Sequence, residues 1–467
     1  MAGRTTIRPA LISLPRHSEN QVFGILDAVT NTIFANANAP ASETPAVDAT
    51  TPDRSGRMIQ LDVLRGVAIL LVLASHRIAD PPAAAGWLGR AALWVACAGW
   101  TGVDLFFVLS GFLIGGLLLS EFQARGHIDL SRFVVRRIFK IWPGYYLLVL
   151  TMLVVNAHGR WAWAWHIYWP NLLNVQNYIV RDTRIGQTWS LGVEEHFYIA
   201  LPLVFWALLR VGSRARPLTA LPWIAIVVVL GCNMIRWIEC NHQPYSVPAH
   251  QFPTHLRMDS LAFGVLLAYW YHFHPRTLAR IAQRRWILLI LGFTLVAPMT
   301  LNAITWPFIW TIGYTMLYLG YGGILVAAVF TPVGPDGGWW GICFRSRLAR
   351  ALATVGIYSY SIYLWHYGLL RDAIALIVPR AMPQNALLQW IMGSVLYVGL
   401  SIAAGIVMAK LVEFPALALR ERLFPRRSTH LSIPHRRNPT EAAAPTLELV
   451  GLIQSHRRPQ HLPMLDR

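Results

Sequence analysis

Charged residues are scarce in this chain of 467 residues: Asp, Glu, Lys and Arg make up 13% of it, against 55% hydrophobic residues. A soluble globular protein carries about 25% charged residues, so the shortage excludes an ordinary soluble domain and indicates long stretches buried in a membrane. The charge that is present is unbalanced, at a formal +18. Because the basic residues lie between apolar runs or in the terminal segments, without a nucleic-acid-binding motif, we expect them to face a lipid bilayer and not nucleic acid.

Cysteine is also rare. The four cysteines have no metal-ligand spacing, so we predict no metal site and no bound cofactor. The first residues lack the apolar core of a signal peptide. Residues 1–57 are predicted to be a disordered cytoplasmic tail, 58–423 a transmembrane domain, and 424–467 a basic cytoplasmic tail.

Long apolar runs are what the chain has in abundance. A membrane-spanning helix needs about 20 mostly apolar residues. The candidate spans are 59–78, 98–120, 138–156, 194–211, 218–237, 255–273, 286–303, 307–330, 351–375 and 388–412. With ten spans, the arginine-rich connections all fall on one side, as the positive-inside rule requires. The sequence therefore predicts an all-α, polytopic transmembrane helical bundle of about ten spans with both termini cytoplasmic.

Arg65 and His76 are two of the ionisable residues that interrupt the first apolar run. Arg65 and His76 are separated by ten residues, which is close to three helical turns and about 16 Å along the axis. Taken singly, each could be an interfacial residue whose polar end reaches water. Because ionisable groups inside spans are costly, their presence together on one face of one helix favours a functional role.

Further motifs with polar residues follow one another along the chain. They are Asp104 to Phe112 (Asp-Leu-Phe-Phe-Val-Leu-Ser-Gly-Phe), Arg136-Arg137-Ile-Phe-Lys140, Trp189-Ser190-Leu191 with Glu194, Arg257-Met-Asp259, Tyr363-Leu-Trp365-His366 and Glu413-Phe-Pro415. With the Arg65–His76 spacing, this order resembles the acyltransferase-3 family of integral membrane acyltransferases, which includes O-acetyltransferases of bacterial surface polysaccharides and of macrolides. Two positions depart from the family pattern: Lys140 stands where Arg is usual, and His196 stands where Gln is common.

The resemblance implies an acyl-coenzyme A donor, expected to be acetyl-CoA, that acts as a co-substrate. The candidate donor-binding residues are Arg65, Arg136, Arg137 and Lys140, since guanidinium groups recognise phosphates well. Without the resemblance, this basic cluster could equally serve topology and lipid headgroups.

Acyl transfer to an alcohol requires a general base, and histidine is the side chain most often suited to that role near neutral pH. His76 is the candidate base, with Glu194 and Asp104 as further catalytic candidates. The carboxylate that orients His76 stays open among Asp104, Glu194 and Asp259. Each carboxylate could instead serve a structural role, as an internal ion pair for Asp259 or a helix cap for Glu194. The candidates for the acceptor side or cavity are Trp189, Ser190, Arg257, Asp259, Tyr363 and His366.

The resulting prediction is a membrane O-acyltransferase that moves an acyl group to a hydroxyl of a carbohydrate or glycoside acceptor, located in a bacterial inner membrane. The alternative is a multispan transporter or flippase of a lipid-linked or small polar substrate, since charges on many spans would also fit it. The absence of a visible internal repeat weakens that alternative.

Overall fold

The structure is a computed structural model that describes residues 58–157, 160–179, 184–212, 217–242, 244, 246–301, 307–381 and 385–425. Across these ranges the chain forms helices, turns and loops and no strand, which agrees with the all-α prediction. The predicted tail 1–57 and all but the first two residues of the predicted tail 424–467 lie outside the described residues.

The α-helices of the described ranges are numbered here in chain order. They are α1 (Ile59–Ser75), α2 (Gly86–Ala98), α3 (Gly102–Arg125), α4 (Leu130–Ala157), α5 (Trp161–Leu172), α6 (Trp189–Val211), α7 (Leu221–His242), α8 (Val247–Gln251), α9 (Thr254–Phe273), α10 (Pro275–Gln283), α11 (Arg285–Leu301), α12 (Tyr314–Val329), α13 (Gly338–Arg345), α14 (Arg347–Ile357), α15 (Ser359–Trp365), α16 (Leu369–Ala381), α17 (Ala386–Met408) and α18 (Phe414–Leu423). Short 3₁₀ turns precede α2, α3, α6 and α13, and π-helical turns at Ile309–Gly313 and Ala409–Glu413 lead into α12 and α18.

Six helical segments of the described residues are long and apolar enough to cross a membrane. They are Ala83–Arg125, Leu130–Ala157, Gly186–Val211, Leu221–His242, Ile309–Val329 and Ala386–Leu423. Each contains most or all of one predicted span. A bent pair, α10 with α11, would make a seventh if the pair is one span. The full count of ten spans and the cytoplasmic termini stay predictions.

The predicted span 351–375 is not one helix. The structure divides it into the end of α14, all of α15 and the start of α16. The second break lies at Gly368, whose φ of +62° is a left-handed conformation that glycine adopts without strain. The prediction of a continuous helix here is wrong, because the apolar length of a run does not reveal local breaks in its backbone conformation. As a result His366 lies at the end of a short helix.

Glycines let the helices that carry the polar motifs approach closely. A Cβ on Gly66 of α1 would lie 2.1 Å from the carbonyl oxygen of Leu352 in α14, and one on Gly111 of α3 would lie 2.0 Å from that of Leu261 in α9. Small residues at such crossings maximise contact between helices where no water is available to drive association. These crossings set the positions of Arg65, which neighbours Gly66, and of the polar beginnings of α3 and α9.

Candidate functional site

Two histidines meet at the end of α1. His76 follows the last residue of α1, and His366 follows the last residue of α15. His366 Nε2 lies 3.4 Å from His76 Nδ1, and the ring centroids are 5.1 Å apart in an edge-to-face arrangement. His366 is fully buried, whereas His76 is partly exposed. The fold therefore brings His366, the last residue of the Tyr363-Leu-Trp365-His366 motif, against His76 at the end of the first span.

The backbone contacts of the two rings assign their protons. His76 Nδ1 lies 2.9 Å from the carbonyl oxygen of Val72, and His366 Nδ1 lies 2.8 Å from that of Tyr363. A carbonyl oxygen only accepts, so each Nδ1 carries a hydrogen and donates it. In the neutral rings both Nε2 atoms are then unprotonated. His76 Nε2 is consequently available as a base.

A cation lies against the same helix end. Arg371 Nε donates to the backbone carbonyl of His76 at 3.2 Å, which satisfies one of the carbonyl groups that a helix leaves unpaired at its C-terminus. The Tyr367 ring packs edge-on against His76 with centroids 4.9 Å apart, and the Arg371 guanidinium lies 5.4 Å from the Tyr367 centroid. These contacts, from Tyr367 in the α15–α16 connection and from Arg371 in the first turn of α16, fix the backbone of His76 as well as its ring.

The Trp-Ser-Leu motif supports the second histidine. The Tyr363 hydroxyl donates to the Gln187 carbonyl at 2.6 Å and lies 2.6 Å from Ser190 Oγ. Gln187 in turn donates to the carbonyl of Leu364 at 3.1 Å. Three hydrogen bonds thus connect α15 to the start of α6 and to the 3₁₀ turn before it. The α15 residues that make them, Tyr363 and Leu364, lie within three residues of His366. Ser190 and Tyr363, both predicted cavity residues, lie together in this support.

Trp189, also a predicted cavity residue, lies in an aromatic stack. Its ring is nearly parallel to that of Phe252, with centroids 4.9 Å apart. The Arg257 guanidinium lies 5.4 Å from its centroid. Trp189 therefore joins the α6 terminus to the segment before α9 and to the buried ion pairs described next.

Two of the three carboxylates considered as partners of His76 are bound to arginines. Asp104 accepts from Arg257 at 2.7 Å, and Asp259 lies 2.7 Å from Arg236. All four side chains are 0–1% exposed. Asp259, for which an internal ion pair was one alternative from the sequence, thus pairs with Arg236. Arg236 was missed as a site residue, although its place inside the predicted span 218–237 marked it as a costly buried charge.

The third carboxylate, Glu194, is bound by tyrosine. The Tyr198 hydroxyl donates to Glu194 at 3.0 Å and also lies 2.5 Å from Ser110 Oγ. Among the described residues no hydrogen bond or ion pair joins His76 to Asp104, Glu194 or Asp259. The group that the fold brings to His76 Nδ1 is the imidazole of His366. The catalytic roles assigned to Glu194 and Asp104 stay predictions.

The basic residues cluster near Glu194, away from the two histidines. Arg65 is close enough to interact electrostatically with both Glu194 and Lys140. The Arg137 guanidinium lies 5.8 Å from the Tyr198 ring centroid, and its Nε has no hydrogen-bond partner. Because Arg65 lies about three turns from His76 along α1, the basic cluster and the histidine pair are at opposite ends of one helix.

Two members of the cluster are already paired. Lys140 donates to Glu413, which also accepts from Ser361 Oγ at 2.7 Å. Arg136 donates to Glu121 at 3.2 Å. Arg65 and Arg137 have no ion pair within the described ranges, so they are the members of the cluster with the most capacity left for an anion.

The order of these groups along the chain matches a known protein family. A family model described as an acyltransferase domain, that of acyltransferase-3, matches residues 58–409, which is more than half of the chain. The chain belongs to the acyltransferase-3 family. The match includes every predicted site residue. With its span-length apolar helices, this acyltransferase-3 chain is an integral membrane protein.

The matched relatives are O-acetyltransferases. O-acetyltransferase OatA of Staphylococcus aureus (strain NCTC 8325 / PS 47) is 28% identical over 338 residues, covering 66% of this chain and 50% of that protein. Peptidoglycan O-acetyltransferase OatA of Listeria monocytogenes serovar 1/2a is 24% identical over 335 residues, covering 66% of this chain and 49% of that protein. The chain therefore spans about half the length of these relatives. No solved structure matches it.

Proposed function

We propose that this protein is a membrane O-acyltransferase in which His76 is the general base. The observation that carries the proposal is the histidine pair at the end of α1, where the contacts of Nδ1 leave His76 Nε2 unprotonated. A base of this kind suits the deprotonation of a hydroxyl near neutral pH. Family membership and the O-acetyltransferase relatives support the same reaction class.

The proposed reaction is a single displacement. His76 Nε2 takes the proton of the acceptor hydroxyl while the hydroxyl oxygen attacks the carbonyl carbon of the thioester. A carbon–oxygen bond forms and the carbon–sulfur bond breaks. The proton then passes from His76 to the departing thiolate, so an ester and a free thiol leave the site. The position of His76 at a helix C-terminus favours the imidazolium formed midway.

We propose acyl-coenzyme A, with acetyl as the acyl group, as the donor. Its phosphates would bind the basic cluster, and Arg65 and Arg137 would carry most of that contact because Arg136 and Lys140 have carboxylate partners. The pantetheine arm would then run along α1 towards His76. This arrangement places the donor on the cytoplasmic side of a bacterial inner membrane and the reacting carbonyl near the opposite face.

For the acceptor we propose a carbohydrate or glycoside hydroxyl. The support is the Listeria relative, which is named as a peptidoglycan O-acetyltransferase, together with the partial exposure of His76 at the end of its helix. The acceptor would approach His76 from the end of the bundle that carries the α15–α16 connection.

The deciding experiment measures acyl transfer by the protein purified in detergent, with radiolabelled acetyl-CoA and a panel of cell-wall saccharides. We expect transfer by the wild type and loss of it in His76→Ala. His127→Ala is the matched control, since His127 is exposed in the connection between α3 and α4, where its Nδ1 lies 3.1 Å from the backbone carbonyl of Arg125. An active His76→Ala protein would refute the mechanism. If the protein is instead a transporter, the detergent-purified protein will show no acyl transfer, whatever residue is at position 76.

The donor site has its own test. Arg137→Ala should raise the KM for acetyl-CoA by one to two orders of magnitude, since a charge-assisted contact to phosphate contributes about 1.5–3 kcal/mol. Arg276→Ala, at an exposed position of α10, should leave that KM unchanged. Equal donor KM values in all three proteins would remove Arg137 from the donor site.

A further inference from the structure

We infer that His366 is the positioning residue of His76: it accepts the hydrogen of His76 Nδ1 and thereby holds His76 in the form whose Nε2 is the base. The inference rests on the proposed function, but its central claim concerns the location of one proton and can be measured without turnover. The sequence left the partner of His76 open among three carboxylates. In the part of the chain that the structure describes, none of the three makes a hydrogen bond or an ion pair with His76.

The hydrogen bonds around His366 allow one assignment of its protons. Nδ1 donates to the Tyr363 carbonyl at 2.8 Å, so in the neutral ring Nε2 has a lone pair and no hydrogen. That Nε2 lies 3.4 Å from His76 Nδ1. His76 Nδ1 can therefore share its hydrogen between His366 Nε2 and the Val72 carbonyl, which lies 2.9 Å away. Both acceptors select the same tautomer of His76.

His366 is held firmly enough to perform this role. Its side chain is fully buried, and the residue that fixes its Nδ1, Tyr363, is anchored through its hydroxyl to Gln187 and Ser190. Because His366 Nδ1 is hydrogen-bonded to a backbone carbonyl, the His366 ring keeps its orientation. A fixed His366 ring in turn fixes the tautomer and the orientation of His76. The Tyr-x-x-His spacing thus supplies both the positioning histidine and its own anchor.

Although it is neutral, His366 can also stabilise the charged form of His76. Within the described ranges, the charged or titratable groups that contact His76 from neighbouring elements are Arg371 of α16, Tyr367 of the α15–α16 connection and His366 itself. As His76 takes a proton from the acceptor, its Nδ1–H becomes a stronger donor and the bond to the His366 lone pair strengthens. Stabilisation is then greater for the charged intermediate than for the resting base, as catalysis requires.

The test compares two substitutions at one position. In His366→Gln the amide oxygen can occupy the place of Nε2 and accept the hydrogen, whereas in His366→Met no strong acceptor remains. We expect His366→Met to lower kcat by on the order of 10²- to 10⁴-fold, since loss of the residue that orients a catalytic histidine has effects of that size. We expect His366→Gln to restore most of that loss, and the pH profile of kcat/KM to shift in His366→Met but not in His366→Gln.

The proton itself is read by nitrogen NMR of ¹⁵N-histidine-labelled protein in lipid bilayers, with His76→Gln used to assign the signal. We expect His76 of the wild type to carry its hydrogen on Nδ1, and the His366→Met protein to show a mixture of both tautomers. Hydrogen on Nε2 of His76 in the wild type would overturn the inference, and that measurement needs no variant to fold.

An unchanged tautomer together with unchanged kcat in His366→Met would also overturn it, since the Val72 carbonyl would then suffice. If instead the wild type shows hydrogen on Nδ1 but transfers no acyl group in any assay, the proposed function fails and the positioning of His76 stands.

Discussion

Asp104 offers a sharp test of whether the buried arginine–carboxylate pairs hold the fold together. The proposed change is Asp104→Asn, which keeps the size of the side chain and removes its charge. Asp104 Oδ1 accepts from Arg257 at 2.7 Å, and both side chains are 0% exposed. The substitution therefore leaves a guanidinium in the core without its nearest carboxylate.

The magnitude follows from burial. Removing one partner of a buried pair costs about 3–5 kcal/mol, because the remaining charge is left uncompensated away from water. Arg77 and Asp80 form a matched exposed pair, with 2.6 Å between the atoms but side chains 31% and 74% exposed. Exposed pairs contribute about 0–1 kcal/mol. Asp80→Asn should therefore lower the free energy of unfolding by at most about a third as much as Asp104→Asn does.

The assay is equilibrium unfolding in mixed micelles titrated with SDS and followed by tryptophan fluorescence. A double variant, Asp104→Leu with Arg257→Met, should be less destabilised than Asp104→Asn, because replacing both charges by apolar groups removes the unpaired one. Acyl transfer is measured on the same samples after correction for the folded fraction.

The reasoning fails if Asp104→Asn unfolds like the wild type. A normal free energy of unfolding combined with loss of acyl transfer would show that Asp104 acts in the chemistry, as the sequence suggested. Equal destabilisation by Asp104→Asn and Asp80→Asn would show that burial does not decide the strength of these pairs.

Two further predictions concern the scaffold and its pH dependence, and both use the same unfolding measurement. Gly111→Ala should lower the free energy of unfolding by about 1–3 kcal/mol, because its Cβ would lie 2.0 Å from a carbonyl of α9, whereas Gly399→Ala, with nothing within 4 Å, should not lower it. Asp129 caps α4 by accepting from the backbone N–H of Arg132 and the hydroxyl of Ser131, and these bonds hold the pKa of Asp129 below its ordinary value. A lowered folded-state pKa means that the cap contributes fully above about pH 4 and loses its contribution as pH falls through that folded-state pKa; Asp129→Ala should lower stability by about 1 kcal/mol at neutral pH and flatten the acid slope, and an unchanged acid slope would contradict this.

The architecture and the chemistry class could be read from the chain without coordinates. Apolar length predicted the helices, because a span must satisfy its backbone hydrogen bonds internally, and six span-capable segments of the described residues coincide with six of the ten predicted spans. The 3.6-residue period likewise put Arg65 and His76 on the same helix. Motif order indicated the family, which the family model confirms over residues 58–409.

Pairing between motifs could not be predicted in this way, because a partner depends on which helices cross and at what depth. From the sequence, Asp104 had a catalytic role proposed and Asp259 an internal ion pair or the orientation of His76, yet the structure pairs them with Arg257 and Arg236, and it pairs Glu413 with Lys140. Arg257 and Lys140 come from helices distant in sequence from their carboxylates. A charged residue within an apolar run indicates that a buried counter-charge is needed, but the sequence does not show which residue supplies it.

The partner of His76 illustrates the same division. Composition and helical period determined that a titratable residue ends the first apolar helix, with a guanidinium about three turns below it. Only the tertiary structure decided that the residue beside it is His366, which follows the last residue of a short helix in a run that looks continuously helical and that is interrupted at the left-handed Gly368. Local sequence determines where helices form, whereas the choice between a carboxylate and an imidazole beside His76 depends on close helix crossings that long-range packing alone establishes.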